Sequence, residues 1–177
     1  MPAAPLHLAF LGCGRITRTH SRHLRRLAGQ VRVSFASRDL ARAESYRRTF
    51  GGARAYGAYE AALADPAVDA VLVAVPPAFH RGLTLDALHA GKHVIVHKPL
   101  GNVLHEARLV IQKARETGAA THMFCAAGQQ STPQLSEWIQ GGAIGPVREV
   151  HNWSTRPFWP QGMTTRPSEA VPVPENF

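Results

Sequence analysis

Along the first 125 residues, apolar positions recur in two alternating rhythms. Short, nearly unbroken apolar runs at Leu6–Leu11, Val31–Ser37, Ala70–Val75, His93–His97 and Ala120–Phe124 read as strands. Between them, Ile16–Ala28, Leu40–Phe50, Tyr59–Leu63, Ala78–Ala90 and Val103–Thr117 space their apolar residues at helical intervals. Gly29, Gly51, Gly91 and Gly118 fall just after helices, where a left-handed residue commonly closes the last turn. Asp39 stands where an N-cap is needed. Strands that are apolar throughout, rather than alternating, suit a parallel sheet covered on both faces. The pattern predicts a doubly wound α/β domain over residues 1–122.

Past residue 123 the rhythm changes. Gln134–Gln140 reads as a short amphipathic helix closed by Gly141 and Gly142, and Val147–Trp153 alternates like a strand with one wet face. Pro157, Pro160, Pro167, Pro172 and Pro174 then favour an extended arm over helix or central strand. One helix, one strand and such an arm do not close a core. Residues 123–177 are therefore expected to be the beginning of a truncated α+β domain.

Composition narrows the function classes. The 177 residues are 45% apolar, and no run approaches the length of a membrane span. The first apolar run has no basic stretch before it and ends in glycines, so it reads as a strand rather than a leader, and a cytoplasmic protein is expected. Net charge is +8, nearly all from arginine. Arg22, Arg25, Arg26, Arg42, Arg47 and Arg48 scatter along helices with no aromatic platform in the pattern, which argues for solvated faces and against a nucleic-acid partner. Cys13 and Cys125 have neither disulfide nor metal spacing and are expected to be small buried thiols. His89, His93 and His97 are four apart, but Gly91 breaks the helix and Val94–Val96 is strand-like, so no metal site is expected.

Candidate chemistry sits where strands end. The first strand runs into Gly12-Cys-Gly14-Arg15-Ile16-Thr17, a glycine turn opening a helix. Gly12 permits a tight turn, Gly14 lets the backbone approach a diphosphate, and Arg15 and Ile16 line the helix N-terminus that would hold it. Thr17 occupies the place of the third glycine. The strand ending at Val75 exits into Pro76-Pro77-Ala-Phe-His80, a rigid, donor-poor wall for a flat ring or ribose; the alternative is an ordinary turn with a structural His80. Lys98, before Pro99, places an ammonium at the sheet's mouth, where it could hold a hydroxyl or stabilise an alkoxide; alone, Lys-Pro would read as a surface loop. Ser37-Arg38 ends the second strand where NAD sites usually carry a carboxylate. A guanidinium there suits a 2′-phosphate, which favours NADP over NAD, with Asp39 drawn to its capping role.

In combination and order these segments resemble the glucose–fructose oxidoreductase / inositol dehydrogenase / MocA (Gfo/Idh/MocA) family of two-domain oxidoreductases with a Rossmann-type cofactor domain. Gly91-Lys92-His93-Val94, Gly142-Ala-Ile-Gly145-Pro-Val147 and Arg156-Pro157-Phe-Trp159 extend the likeness. The resemblance implies an NAD(P)-dependent dehydrogenase acting on a hydroxyl of a sugar or cyclitol, with Lys98 as the substrate-binding catalytic lysine. Pro76, His80, His97 and Pro99 would lie about the nicotinamide half, and the Lys98–Pro99 bond is expected to be cis. The family signature is Glu-Lys-Pro, and here His97 replaces the glutamate that touches the cofactor. The family's Asp and His proton-handling pair lies in its C-terminal domain, of which this chain holds only the start. The alternative is thus a non-catalytic NAD(P)-binding module. A homo-oligomer is expected only of a longer form.

Overall fold

The computed structural model describes residues 4–125 and 132–151. Six strands, β1 (Leu6–Leu11), β2 (Val31–Ala36), β3 (Ala55–Tyr56), β4 (Ala70–Val73), β5 (His93–His97) and β6 (Thr121–Phe124), form one sheet in the order β3-β2-β1-β4-β5-β6. Every neighbouring pair is parallel. Helices α1 (Arg15–Leu24), α2 (Leu40–Phe50), α3 (Tyr59–Ala64), α4 (His80–His89) and α5 (Leu104–Thr117) make the crossovers. The expected doubly wound α/β class is what the chain adopts.

Side chains alternate across the sheet with period two, so each strand feeds two cores. Ala9, Leu11, Val71, Val73, Val94 and Val96 pack with Ala62 and Leu63 of α3 and Leu83, Ala87 and Leu88 of α4. Leu8, Phe10, Phe35, Ala70 and Leu72 pack on the other side with Ala43 and Tyr46 of α2. Phe10 and Phe35 stack there, with ring centroids 5.5 Å apart. Because both faces are covered, both sets of positions had to be apolar, hence the strands' unbroken runs.

Local signals fix the helix ends. The Asp39 carboxylate accepts from the Ala41 and Arg42 amides at 2.9 and 3.3 Å and caps α2. Gly51 closes α2 in the left-handed region, as Gly118 closes α5. The helix expected over Ile16–Ala28 tightens after Leu24 into a 3₁₀ turn at Arg25–Leu27, and Pro77–Phe79 forms a 3₁₀ turn before α4. The arginines also have aromatic neighbours that the pattern did not disclose. The Arg18 guanidinium lies 6.0 Å over Tyr46, and that of Arg25 5.9 Å over Phe50.

Polar side chains close the N-terminal ends of the strands. His7 is buried; its Nδ1 lies 2.6 Å from the Ala67 carbonyl and its Nε2 2.7 Å from Ser34 Oγ. Ser34 Oγ also accepts from the Arg54 amide at 3.1 Å, and Arg32 Nη2 lies 2.8 Å from His7 Nδ1. Burial lowers the His7 pKa, and the nearby Arg32 cation also disfavours a second proton. Asp65 accepts from Tyr56 and Arg54 through one oxygen and from the Ala67 amide through the other. The Tyr56 hydroxyl is the chief cause that holds the Asp65 carboxyl down to about 2. Lys92, only 8% exposed, donates from Nζ to the carbonyls of Asp65 and Val68 at 2.8 Å each.

A second unit, described by itself, holds α6 (Thr132–Gln140) and the turns after it. Leu135, Trp138 and Ile139 are each 42–50% exposed. The strand expected over Val147–Trp153 is not formed at 147–151; Asn152 and Trp153 lie outside the described residues, as do Arg156, Trp159 and the five late prolines. Among the described residues, no helix is long and apolar enough to cross a membrane.

Candidate functional site

The connection direction reverses between β1 and β4. After β1 the chain moves outward to β2 and β3, and later it returns on the other side through β4, β5 and β6. In open parallel sheets a ligand crevice forms at the C-terminal ends of the two strands flanking such a switch point. Gly12 follows β1 there, with φ at +108°. A Cβ on Gly12 would stand 2.5 Å from the Ala74 carbonyl oxygen, beyond β4. Packing and dihedral angle both require glycine at this position.

Gly14 precedes α1 in an extended conformation, and a Cβ there would meet nothing within 4 Å. Packing does not demand that glycine; it keeps the backbone bare beside open space. No side chain caps α1, so its first amides and the positive end of its dipole point outward. Arg15 is exposed and Ile16 half-buried. Thr17, in place of a third glycine, is fully buried and donates from Oγ1 to the Gly12 carbonyl at 2.6 Å. It latches the turn to the helix, which pattern reading missed. Tyr46 was missed too: its hydroxyl donates to the Gly14 carbonyl at 3.1 Å. Burial pushes the Cys13 thiol up to about 11, so it stays protonated beside the Ala36 carbonyl and serves as a core thiol rather than a nucleophile.

After β2, Ser37 is buried and its Oγ accepts from the Asp39 amide at 3.2 Å. Arg38 is exposed, with its guanidinium 5.6 Å over the Phe79 ring. The capping contacts occupy Oδ1 of the exposed Asp39 carboxylate, so this strand end carries both the Asp39 charge, turned to the α2 amides, and the Arg38 guanidinium. After β4, Pro76 is exposed and begins the turn into α4.

His80 does not face the crevice as a ligand contact would. It is 1% exposed, with Nδ1 2.6 Å from the Pro99 carbonyl and Nε2 2.8 Å from the Val75 carbonyl. Its role here is to brace the exit of β4 against the turn after β5, which corrects its placement among the cofactor contacts. Lys98 is exposed at that turn; its amide donates to the Phe124 carbonyl at 3.1 Å, and the Lys98–Pro99 peptide is cis. Half-buried His97 lies beside His20 of α1 and Phe124 of β6. Burial lowers the pKa of His97 and of His20.

The named residues thus gather at the C-terminal ends of β1, β2, β4 and β5. Bare backbone, uncapped helix amides and three exposed cations there suit a dinucleotide.

Comparison with known proteins agrees. The family described as "Oxidoreductase family, NAD-binding Rossmann fold" matches residues 6–124. The chain is 41% identical over 122 residues to a rabbit trans-1,2-dihydrobenzene-1,2-diol dehydrogenase, covering 66% of this chain and 36% of that protein. It is 39% identical over 126 residues to 1,5-anhydro-D-fructose reductase of Ensifer adhaerens, covering 69% and 37%. Among solved structures, the 3-ketoreductase KijD10 of Actinomadura kijaniata, in complex with TDP-benzene and NADP, superposes with a TM-score of 0.71 at 30% identity, over 81% of this chain and 45% of that one. The chain therefore spans a little over a third of the length of these curated relatives. From the start of β1 to the end of β6, it belongs to the Gfo/Idh/MocA family of NAD-binding oxidoreductases.

Proposed function

We propose that the chain is the cofactor-binding part of an NAD(P)-dependent dehydrogenase or reductase acting on a hydroxyl-bearing carbon of a sugar or cyclitol. The observation that carries this reading is the pairing, at one end of one sheet, of the Gly12–Gly14 turn before uncapped α1 with exposed Lys98 after β5. Bound there, a nicotinamide dinucleotide supplies the hydride chemistry. Gly12, Gly14, Arg15 and Ile16 hold the diphosphate, and Ser37 and Arg38 receive the adenosine ribose. Pro76, His97 and Pro99 border the nicotinamide half. Lys98 holds the substrate hydroxyl, or the alkoxide that forms from it. The reductase names of two relatives support a small carbonyl or hydroxyl substrate.

Arg38 favours NADP, because a guanidinium gives charge-assisted bonds to a 2′-phosphate. Calorimetric titration with NADP(H) and NAD(H) tests the reading. Arg38→Ala should weaken NADP binding about 10- to 100-fold, the size of a lost charged hydrogen bond, and leave NAD nearly unchanged. An unaltered preference would refute the role of Arg38, and no binding of either nucleotide would refute the whole reading. Residues 1–177 alone should bind cofactor with little turnover, because the acid–base partners that the family resemblance implies lie in a further domain.

A further inference from the structure

Three rings meet where β5 and β6 finish beside α1. His20 stands edge-on to Phe124 with centroids 4.5 Å apart, and His97 lies 5.8 Å from both His20 and Phe124. His97 Nδ1 reaches toward the Lys98 carbonyl at 3.3 Å, and the Lys98 amide is tied to Phe124, so the cluster and the lysine form one unit. Among the described residues, the titratable groups that act on the two imidazoles come from the elements packed around them. They are His20 and His23 of α1, His97 and Lys98 at the end of β5, and His80 at the start of α4; β6 contributes uncharged Phe124. Each of these groups is neutral or cationic, and none is a carboxylate.

This corner borders the nicotinamide half of the crevice if the reading under Proposed function holds, and the inference rests on that reading. The two redox forms of the cofactor share their phosphates, sugars and adenine. They differ by one positive charge on the nicotinamide ring, carried by the oxidised form alone. A corner whose imidazoles are neutral at high pH and add positive charge to that of Lys98 on acidification therefore opposes the oxidised form increasingly, while the reduced ring does not feel the change.

We propose that the His20–His97 pair selects the redox form of the bound nucleotide, favouring the reduced cofactor and so biasing the site toward carbonyl reduction. Burial holds both rings below the ordinary histidine range, helped by the His97 charge at His20 and by the Lys98 and His80 charges at His97, so the pair takes up protons at pH values under about 6.5. Selectivity for the reduced form accordingly rises as pH falls through that region.

The test is a pair of binding titrations, oxidised and reduced NADP, at pH 8 and pH 5.5, read by dihydronicotinamide fluorescence and by its displacement. The ratio of the two dissociation constants cancels every contribution the forms share, including protonation of the 2′-phosphate. In the wild-type chain the oxidised-to-reduced ratio should rise about tenfold on acidification, as expected for one unit charge several ångströms away near a protein surface. His97→Glu should lower the ratio about tenfold at pH 8, and His97→Gln or His20→Phe should flatten its pH dependence. A wild-type ratio that stays constant while both forms bind would overturn this inference and leave the cofactor site standing. Failure of both forms to bind at either pH would overturn the cofactor site and this inference with it. The wild-type series decides the matter even if a variant does not fold.

Discussion

At the N-terminal ends of the strands, His7 and Lys92 are buried and the Asp65 carboxylate is largely covered, and their polar side-chain atoms meet partners from other segments, Ser34 within β2 among them. At the C-terminal ends, Gly14, Arg15, Arg38 and Lys98 are exposed, and α1 begins without a side-chain cap. One end holds the fold together and the other leaves its donors and charges to a ligand. Polar groups at the two ends should thus answer to different measurements, stability at the first and binding at the second.

Gly12 belongs to both, and its replacement should have the largest effect. Gly12→Val forces an L side chain into a positive φ and against the Ala74 carbonyl. A loss of about 4 kcal/mol is expected from strain and overpacking together, seen as a fall in the urea midpoint. Lys92→Met should come next. It leaves the Val68 carbonyl without its lysine donor and the Asp65 carbonyl with the Val68 amide alone, and should cost about 2 kcal/mol, while cofactor affinity stays within twofold. An affinity change of tenfold would break the division between the two ends.

A pH titration sharpens the same contrast. The folded-state pKa of His7 is lowered, so the unfolded chain binds the proton more readily. Stability should be full above about pH 6.5 and decline as pH falls through the lowered value. His20 and His97, also lowered, add to this slope. Asp65, held at about 2, adds a second loss that starts below its ordinary value of 3.8. Urea midpoints across this range should show both steps, and His7→Gln should shrink the upper one. The smallest expected effect on stability is that of Lys98→Ala, under about 0.5 kcal/mol for an exposed side chain, even though it removes the amine proposed to hold substrate. A markedly destabilised Lys98→Ala would show that the exposed end also supports the fold.

Which features could be foreseen follows from what a linear pattern records. Five of the six strands and all five crossover helices follow from apolar periodicity, because two-sided burial imposes it on consecutive residues. The two-residue β3 escaped because Ala55 and Tyr56 are too few to set a period. Glycine spacing pointed to Gly12 and Gly14, and position after a strand pointed to Lys98. Contacts distant in sequence left no such mark. The Tyr46 brace on Gly14 spans 32 residues, and the Lys92 contacts reach back 24 and 27. His80 looked like a crevice residue because it follows a strand end, yet its carbonyl partners include Pro99, 19 positions later.

The strand order carries a consequence for synthesis on the ribosome. β1 emerges first but has its second neighbour only when β4 arrives, with Leu8 beside Ala70 and Leu11 beside Val73. A nascent chain that stops short of residue 70 therefore offers Phe10 and Leu11 on an open edge, in a sheet whose parallel pairings all await long crossovers. The segment destined to sit deepest in the finished sheet is thus the one with the longest wait for its flank, and it is where a chaperone would find its first hold.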